Sequence, residues 1–164
     1  MKRKILIVTA AFLTLSIIVL GFWLFVDDSK KGFYSTLIKA KMGNAEAQCN
    51  IAEMYYKSLG VPQNLDESIK WYVKAAEQGN AEAQFRLGII YAIGEGTPQN
   101  AIQAYKWFNL AAAQGNKKAI KGRELLTQGM SSEQIAEGQR LGSSVSYPSN
   151  KNRLPYPIPC PEAK

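Results

Sequence analysis

Apolar and small residues recur along the middle of the chain with the spacing of helix faces. One set occupies Leu65, Ser68, Ile69, Tyr72, Ala75 and Ala76, and a second occupies Ala101, Ala104, Tyr105, Phe108, Ala111 and Ala112. Steps of three and four residues indicate an amphipathic helix rather than a strand. Segments 45–58 and 81–93 show helical patterns of their own, so we predict two helices, A and B, in each of two units.

The two units are copies of each other at an offset of 36 residues. GNAEAQ stands at 43–48 and again at 79–84, and GVPQN at 60–64 corresponds to GTPQN at 96–100. A period of this length is typical of a helical solenoid, in which stacked units bury faces that one hairpin leaves open. Residues 33–42 resemble a lone helix B in front of the copies. Residues 117–141 resemble a shortened third unit, whose last helix begins at Ser131.

Polar and glycine residues mark the helix ends. Asparagine precedes all four predicted helices of the two copies, at positions 44, 64, 80 and 100. Such residues cap helix N-termini, and Glu67 and Gln103 stand three positions after their asparagines, which predicts capping boxes. Gly79 and Gly115 are placed to end helix B, because glycine readily adopts the left-handed conformation found there.

The N-terminal segment predicts a membrane anchor. Residues 5–26 carry no charge, and a helix of that length covers about 30 Å of hydrocarbon. A cleavable signal peptide is the alternative, although its apolar region is usually only about 7–15 residues long. The basic residues in 1–4 favour a cytoplasmic N-terminus. We therefore expect a single-pass protein of the inner membrane, with its repeats on the periplasmic or outer side.

The two 36-residue copies resemble a known family of helical repeats. The string AEAQFRLGIIYAIGEGTPQNAIQAYKWFNLAAAQGN at 81–116 resembles a Sel1-like repeat, which is related to the tetratricopeptide repeat. Residues 45–80 are a slightly divergent copy, and MSSEQIAEGQRL at 130–141 resembles the helix that often closes such arrays. The resemblance implies an all-α, right-handed solenoid, preceded here by one transmembrane helix. It also implies a protein-binding scaffold rather than an enzyme, with no cofactor.

The resulting domain organisation has five parts. They are a cytoplasmic start (1–4), the anchor (5–26), a linker with an N-terminal capping helix (27–42), the repeat domain (43–141) and a proline-rich tail (142–164). The resemblance suggests that this chain binds an envelope protein and acts as its scaffold or regulator. The alternative is a secreted toxin, which would make it a periplasmic immunity protein. An enzyme acting on cell-wall material is a remote alternative.

Composition excludes several classes of site. The chain has no histidine, which rules out Ser–His–Asp and Cys–His catalysis and HExxH zinc sites. Its two cysteines lie too far apart in sequence for a CxxC motif or a zinc knuckle. The net charge of +7 includes three charges at residues 2–4, and no basic cluster interleaves with aromatic residues. We expect no metal, nucleic acid or small-molecule substrate.

The candidate partner-binding residues lie on helix A, which lines the concave face of tetratricopeptide-like stacks. They are Glu53, Tyr56 and Lys57 in the first unit, and Phe85, Ile89, Ala92 and Ile93 in the second. Three of these apolar residues are spaced by four and form one stripe. That stripe is either a hydrophobic groove for a peptide or helix, or ordinary core between repeats.

The tail has two interpretations. Alternating prolines between 155 and 161 favour an extended conformation, typical of a disordered end. Alternatively, the tail returns to the groove and is tied there by a disulfide between Cys160 and Cys49, since the segment from Gly142 can reach roughly 60 Å. Cys49 is placed on the concave side of helix A in this hypothesis.

Overall fold

The computed structural model describes Ser16 and residues 28–145. Within these residues the chain forms seven α-helices and no strand, which confirms the all-α prediction for this part. The helices are α1 Asp28–Lys41, α2 Ala45–Lys57, α3 Leu65–Glu77, α4 Ala81–Ile93, α5 Ala101–Ala113, α6 Lys117–Thr127 and α7 Ser132–Ser143.

None of the helices described has the length and apolar character that a bilayer crossing requires. The predicted anchor, residues 5–26, falls outside the described residues except for Ser16. The tail is described only as far as Val145, so Cys160 and its prolines are outside as well.

Each repeat is a pair of packed helices, α2 with α3 and α4 with α5, and the pairs stack through α3 and α4. The helix starts agree with the sequence prediction. Each predicted asparagine accepts a backbone hydrogen bond from the first turn of its helix. Gly79 and Gly115 have φ values of 90° and 84°, as expected for glycines that end a helix.

The capping boxes form only in part. Asn64 accepts a hydrogen bond from the backbone N–H of Glu67, but the Glu67 carboxylate accepts from Lys70 at 2.7 Å instead of turning back to the cap. Both halves of a capping box are present in α7, between Ser131 and Gln134. The prediction for α3 was therefore wrong in its second half, because a lysine one turn later competes for the carboxylate.

The two end regions also differ from the expectation. Helix α1 includes Asp28, five residues before the predicted start, and Asp28 forms an ion pair of 3.2 Å with Lys31. Helix α7 packs along α5 rather than pairing with α6 as α3 pairs with α2. Gly138 allows this approach, since an added Cβ would lie 2.7 Å from the Tyr105 ring. The third unit is thus not a regular repeat.

A buried glutamine in helix A joins each repeat to the helix before it. Gln48 donates to the Ala40 carbonyl at 3.1 Å, and Gln84 donates to the Ala76 carbonyl at 3.0 Å. The same side chains accept from Gln78 at 2.6 Å and from Gln114 at 2.8 Å. We call this arrangement the glutamine clamp. It gives the last residue of each GNAEAQ copy a structural role and explains why that residue recurs 36 positions later.

Candidate partner-binding surface

The predicted binding residues lie on α2 and α4, the helices A of the two repeats. We call them the helix-A surface; its members are Glu53, Tyr56, Lys57, Phe85, Ile89, Ala92 and Ile93. The structure divides this surface into a polar part on α2 and an apolar part on α4. The role of this surface in binding remains a prediction.

Glu53 is the centre of the polar part. Its carboxylate forms an ion pair with Lys57 at 2.6 Å and another with Arg86 at 3.3 Å. The hydroxyl of Tyr72 donates to the other carboxylate oxygen. Arg86 also contacts Glu82 at 3.0 Å. The cluster therefore joins helix A and helix B of the first repeat to helix A of the second.

The environment fixes the charge states of this cluster. Burial alone would raise the pKa of Glu53, but hydrogen bonds from Lys57 and Tyr72 and the charge of Arg86 lower it overall. Burial and the hydrogen bond to Glu53 raise the pKa of Tyr72. Glu53 is thus a carboxylate and Tyr72 a neutral phenol near neutral pH. Such a pair can accept or donate hydrogen bonds but has no group suited to proton transfer at that pH.

A second tyrosine ties a loop to this region. The hydroxyl of Tyr56 donates to the Glu95 carboxylate at 2.8 Å, and this hydrogen bond together with burial raises the pKa of Tyr56. Glu95 lies in the loop after α4. The contact places this loop beside α2 of the preceding repeat.

A shallow pocket opens between these groups. It has a volume of about 230 Å³, including the open space at its mouth, and is lined by Tyr56, Tyr72, Arg86, Ile89 and Ile90. Two aromatic rings, two aliphatic side chains and one cation thus face the same space. In the described part of the chain, no group of histidine, cysteine or acidic side chains is arranged to hold a metal ion.

The apolar part of the surface is mostly packed. Phe85, Ile89 and Ala92 are partly buried against a cluster that contains Phe108, with the Phe85 and Phe108 ring centroids 6.0 Å apart. Ile93 differs, because 62% of it is exposed. The stripe is therefore packed over most of its length, against helix B of its own repeat and a cluster that includes Ala119 of α6, and its C-terminal residue Ile93 reaches solvent.

The polar cluster has an apolar counterpart one repeat later. At the offset of 36, Tyr72 corresponds to Phe108, Glu53 to Ile89 and Arg86 to Gly122. Loss of the phenol hydroxyl is thus accompanied by loss of its acceptor and of the cation. Arg86 and Tyr72 were missing from the predicted surface, although these coordinated differences between the two copies are visible in the sequence.

Cys49 does not lie open on the surface as the sequence hypothesis placed it. Only 7% of this residue is exposed, and its side chain belongs to the core cluster of the first repeat. Burial, with smaller contributions from Glu82 and Glu53, raises the pKa of the thiol to about 12. Its disulfide with Cys160 stays a prediction, because Cys160 is outside the described residues.

Comparisons with known proteins agree with this architecture. The sequence model of the Sel1 repeat matches residues 45–80 and 81–116. No significant match is found among the curated proteins.

Among solved structures, the chain is similar to c5321, described as a protective antigen present in uropathogenic Escherichia coli strains displaying an SLR fold. The identity is 26%, the TM-score is 0.69, and the match covers 73% of this chain and 26% of that one. A Sel1 repeat protein from Oxalobacter formigenes matches with 29% identity and a TM-score of 0.60, covering 70% of this chain and 49% of that one. This chain therefore spans about a quarter to a half of the length of these structures.

The matched boundaries coincide with the two 36-residue units described above, each beginning at the first residue of a helix A. The fold is one that generally serves as a protein-interaction scaffold. Two consecutive segments of this chain, 45–80 and 81–116, thus match the Sel1 repeat model, and they fold as an all-α stack similar to the solved Sel1-repeat structures.

Proposed function

We propose that this protein is a membrane-anchored interaction scaffold that binds another protein through the helix-A surface. The observation that supports this most directly is the pocket between the two repeats. Tyr56 and Ile89 line it, and Ile93 stands exposed on the same helix as Ile89. An apolar group with polar neighbours is the arrangement expected at the centre of a protein interface.

The chemistry of this surface suggests the kind of partner. An apolar side chain, such as a leucine on a partner helix, would fit between the tyrosines and contact Ile93. Polar groups of the partner would meet Lys57, which is half exposed, and the Glu53 carboxylate. Burying one such apolar anchor contributes about 1.5–3 kcal/mol. A few anchors would give micromolar binding.

The proposed location rests on sequence. Residues 5–26 are long enough to span a bilayer, and Lys2, Arg3 and Lys4 favour retention of the N-terminus in the cytoplasm. The repeats would then lie on the periplasmic or outer side. In this position they could assemble envelope proteins or regulate one of them.

Affinity capture tests the binding surface. The full chain, solubilised in mild detergent, would be immobilised as wild type and as Ile93→Asp, and probed with envelope and secreted extracts. Ile38→Asp is a matched control, since Ile38 on α1 is 61% exposed and lies outside the helix-A surface. Circular dichroism would check that both variants remain folded.

We expect wild type and Ile38→Asp to retain a partner that Ile93→Asp loses. Retention of the same partner by all three proteins would show that the surface is assigned wrongly. If Ile93→Asp does lose the partner, a photo-crosslinking amino acid at position 56 would test whether the partner contacts the helix-A surface directly. The identity of the captured protein would separate an envelope regulator from an immunity protein, which binds a toxin.

A further inference from the structure

Helix α1 presents an apolar stripe to solvent. Tyr34, Ile38 and Met42 are 54%, 61% and 82% exposed. They are spaced by four, so they lie along one side of the helix and its C-terminal turn. No other helix described carries three exposed large apolar residues in such a row.

This stripe is not needed for the core. The opposite side of α1 packs against the first repeat through Phe33, Leu37 and Ala40, and the Phe33 and Tyr55 ring centroids are 5.4 Å apart. The Ala40 carbonyl is held by Gln48 in the glutamine clamp. The helix is therefore fixed to the repeats by one face, and the stripe is held in a defined direction.

Lysines lie along the same side as the stripe. Lys30 stands four residues before Tyr34, Lys41 three residues after Ile38, and Lys31 three residues before Tyr34. Lys30 and Lys41 are exposed, and Lys31 pairs with the exposed Asp28. Exposed lysines interleaved with apolar side chains are the pattern of a helix lying in a membrane interface.

The equivalent positions of the next helix B show that this pattern is particular to α1. Thirty-six residues after the stripe stand Lys70, Lys74 and Gln78, none of which is apolar. The repeat architecture thus accepts polar side chains on this side of a helix B. The stripe of α1 is not a requirement of stacking.

We propose that this face of α1 lies on an anionic lipid surface, with the apolar stripe in the interfacial layer and the lysines on the phosphates. The proposal relies on the membrane anchor of the proposed function, because α1 begins only two residues after the predicted span of 5–26. Lysines close to an anionic leaflet are attracted electrostatically. The consequence is a fixed orientation of the repeats relative to the bilayer.

The test places a fluorescent reporter on the stripe of the full chain. In a Cys160→Ser background, Ile38→Cys would be labelled with a polarity-sensitive dye after reconstitution into nanodiscs containing phosphatidylglycerol. Spin-labelled lipids in the disc would act as quenchers. Lys74→Cys is the matched control, because it is the equivalent position one repeat later. The burial of Cys49 protects it from labelling in the folded protein.

We expect blue-shifted, strongly quenched emission at position 38 and unquenched emission at position 74. The variant Lys30→Glu/Lys41→Glu should lose the quenching at position 38 in anionic discs, with its circular dichroism unchanged because both lysines are exposed.

Three results would overturn the proposal in different ways. If the chain stays with the nanodisc but position 38 is unquenched, the proposal that α1 faces lipid is wrong, whereas the proposed membrane anchor is retained. If the emission is blue-shifted without quenching by lipid, another protein surface, such as a second copy, covers the stripe. If the chain does not stay with the nanodisc, both the lipid-facing position of α1 and the proposed membrane anchor are wrong. None of these results bears on capture through Ile93, which is measured in detergent.

Discussion

The hydroxyl of Tyr72 donates a hydrogen bond to the carboxylate of Glu53, which lies on the preceding helix of the same repeat. One repeat later, Phe108 and Ile89 occupy the equivalent positions in an apolar cluster. A buried hydroxyl needs an acceptor, and a buried carboxylate needs donors, so the two positions are expected to change together. This pair underlies two of the predictions that follow.

The first prediction concerns the coupling of these two residues. Glu53→Ile alone should lower the free energy of unfolding by about 1–3 kcal/mol, because it leaves the Tyr72 hydroxyl without its carboxylate acceptor. Tyr72→Phe alone should also destabilise. The double variant reproduces these two positions of the second repeat and should cost less than the sum, with a coupling of about 1 kcal/mol. Urea unfolding of the four proteins measures this cycle, and strict additivity would contradict it.

The second prediction concerns pH. The pKa of Glu53 in the folded protein is lower than that of an unfolded chain, which is about 4.3. Its carboxylate therefore stabilises the fold fully above the unfolded pKa, and this contribution is lost as the pH falls through the folded pKa. The stability difference between wild type and Glu53→Gln should be largest near pH 6–7 and shrink below about pH 4. Equal differences at pH 3 and pH 7 would refute this.

A third prediction follows from the close approach of Gly88 and Phe108. A Cβ added at Gly88 would lie 2.4 Å from Cδ1 of the Phe108 ring. Gly88→Ala should therefore destabilise the protein by about 1–3 kcal/mol, although the first repeat has Ala52 at the same position. Replacing Phe108 with leucine in that background should recover part of the loss.

Gly32 on α1 provides the matched control for this substitution. An added Cβ there meets nothing within 4 Å. Gly32→Ala should thus raise the free energy of unfolding by about 0.5–1 kcal/mol through helix propensity alone. Thermal unfolding followed by circular dichroism compares the two variants, and destabilisation by both would indicate that crowding is not the cause.

The fourth prediction concerns the thiol of Cys49. Its pKa of about 12 leaves roughly one part in ten thousand as the reactive thiolate at pH 8. The peptide containing Cys49 should therefore remain unmodified by Ellman's reagent in the folded protein, whether or not a disulfide exists. Rapid modification in the native state would show that the residue is accessible.

The same reagent tests the disulfide after denaturation without reductant. Two reactive thiols per chain would exclude a bond between Cys49 and Cys160. Complete absence of thiols, with a chain that stays monomeric on a non-reducing gel, would support it. The buried position of Cys49 means that such a bond would require the tail to enter the core of the first repeat.

The features that sequence predicted well are local and periodic. The asparagine caps, the glycines that end helix B and the bounds of α2 to α5 follow from signals within a few residues of each boundary. Comparison of the copies at an offset of 36 then placed the helices in a stack. These signals do not depend on how distant side chains meet, and the structure reproduces them.

The features that sequence missed depend on contacts between residues far apart in the chain. Arg86 was overlooked because its partner Glu53 is 33 positions away and belongs to another repeat. The docking of α7 on α5 depends on the fit of Gly138 against Tyr105, which periodicity does not encode. Phe85 and Ile89 could be groove or core by pattern alone, and only the position of Phe108 distinguishes these alternatives.

The glutamine clamp also has an evolutionary consequence. The carbonyl of Ala40 on α1 receives Gln48 in the same way that the carbonyl of Ala76 receives Gln84. The end of α1 is therefore an attachment point that any unit beginning with this hexapeptide can use. Tandem duplication or deletion of 36 residues would leave the clamp at every remaining junction intact. Arrays of this kind can thus change length in whole units, whereas a change of neighbour at this junction would separate pairs such as Glu53 and Arg86, which lie in different repeats.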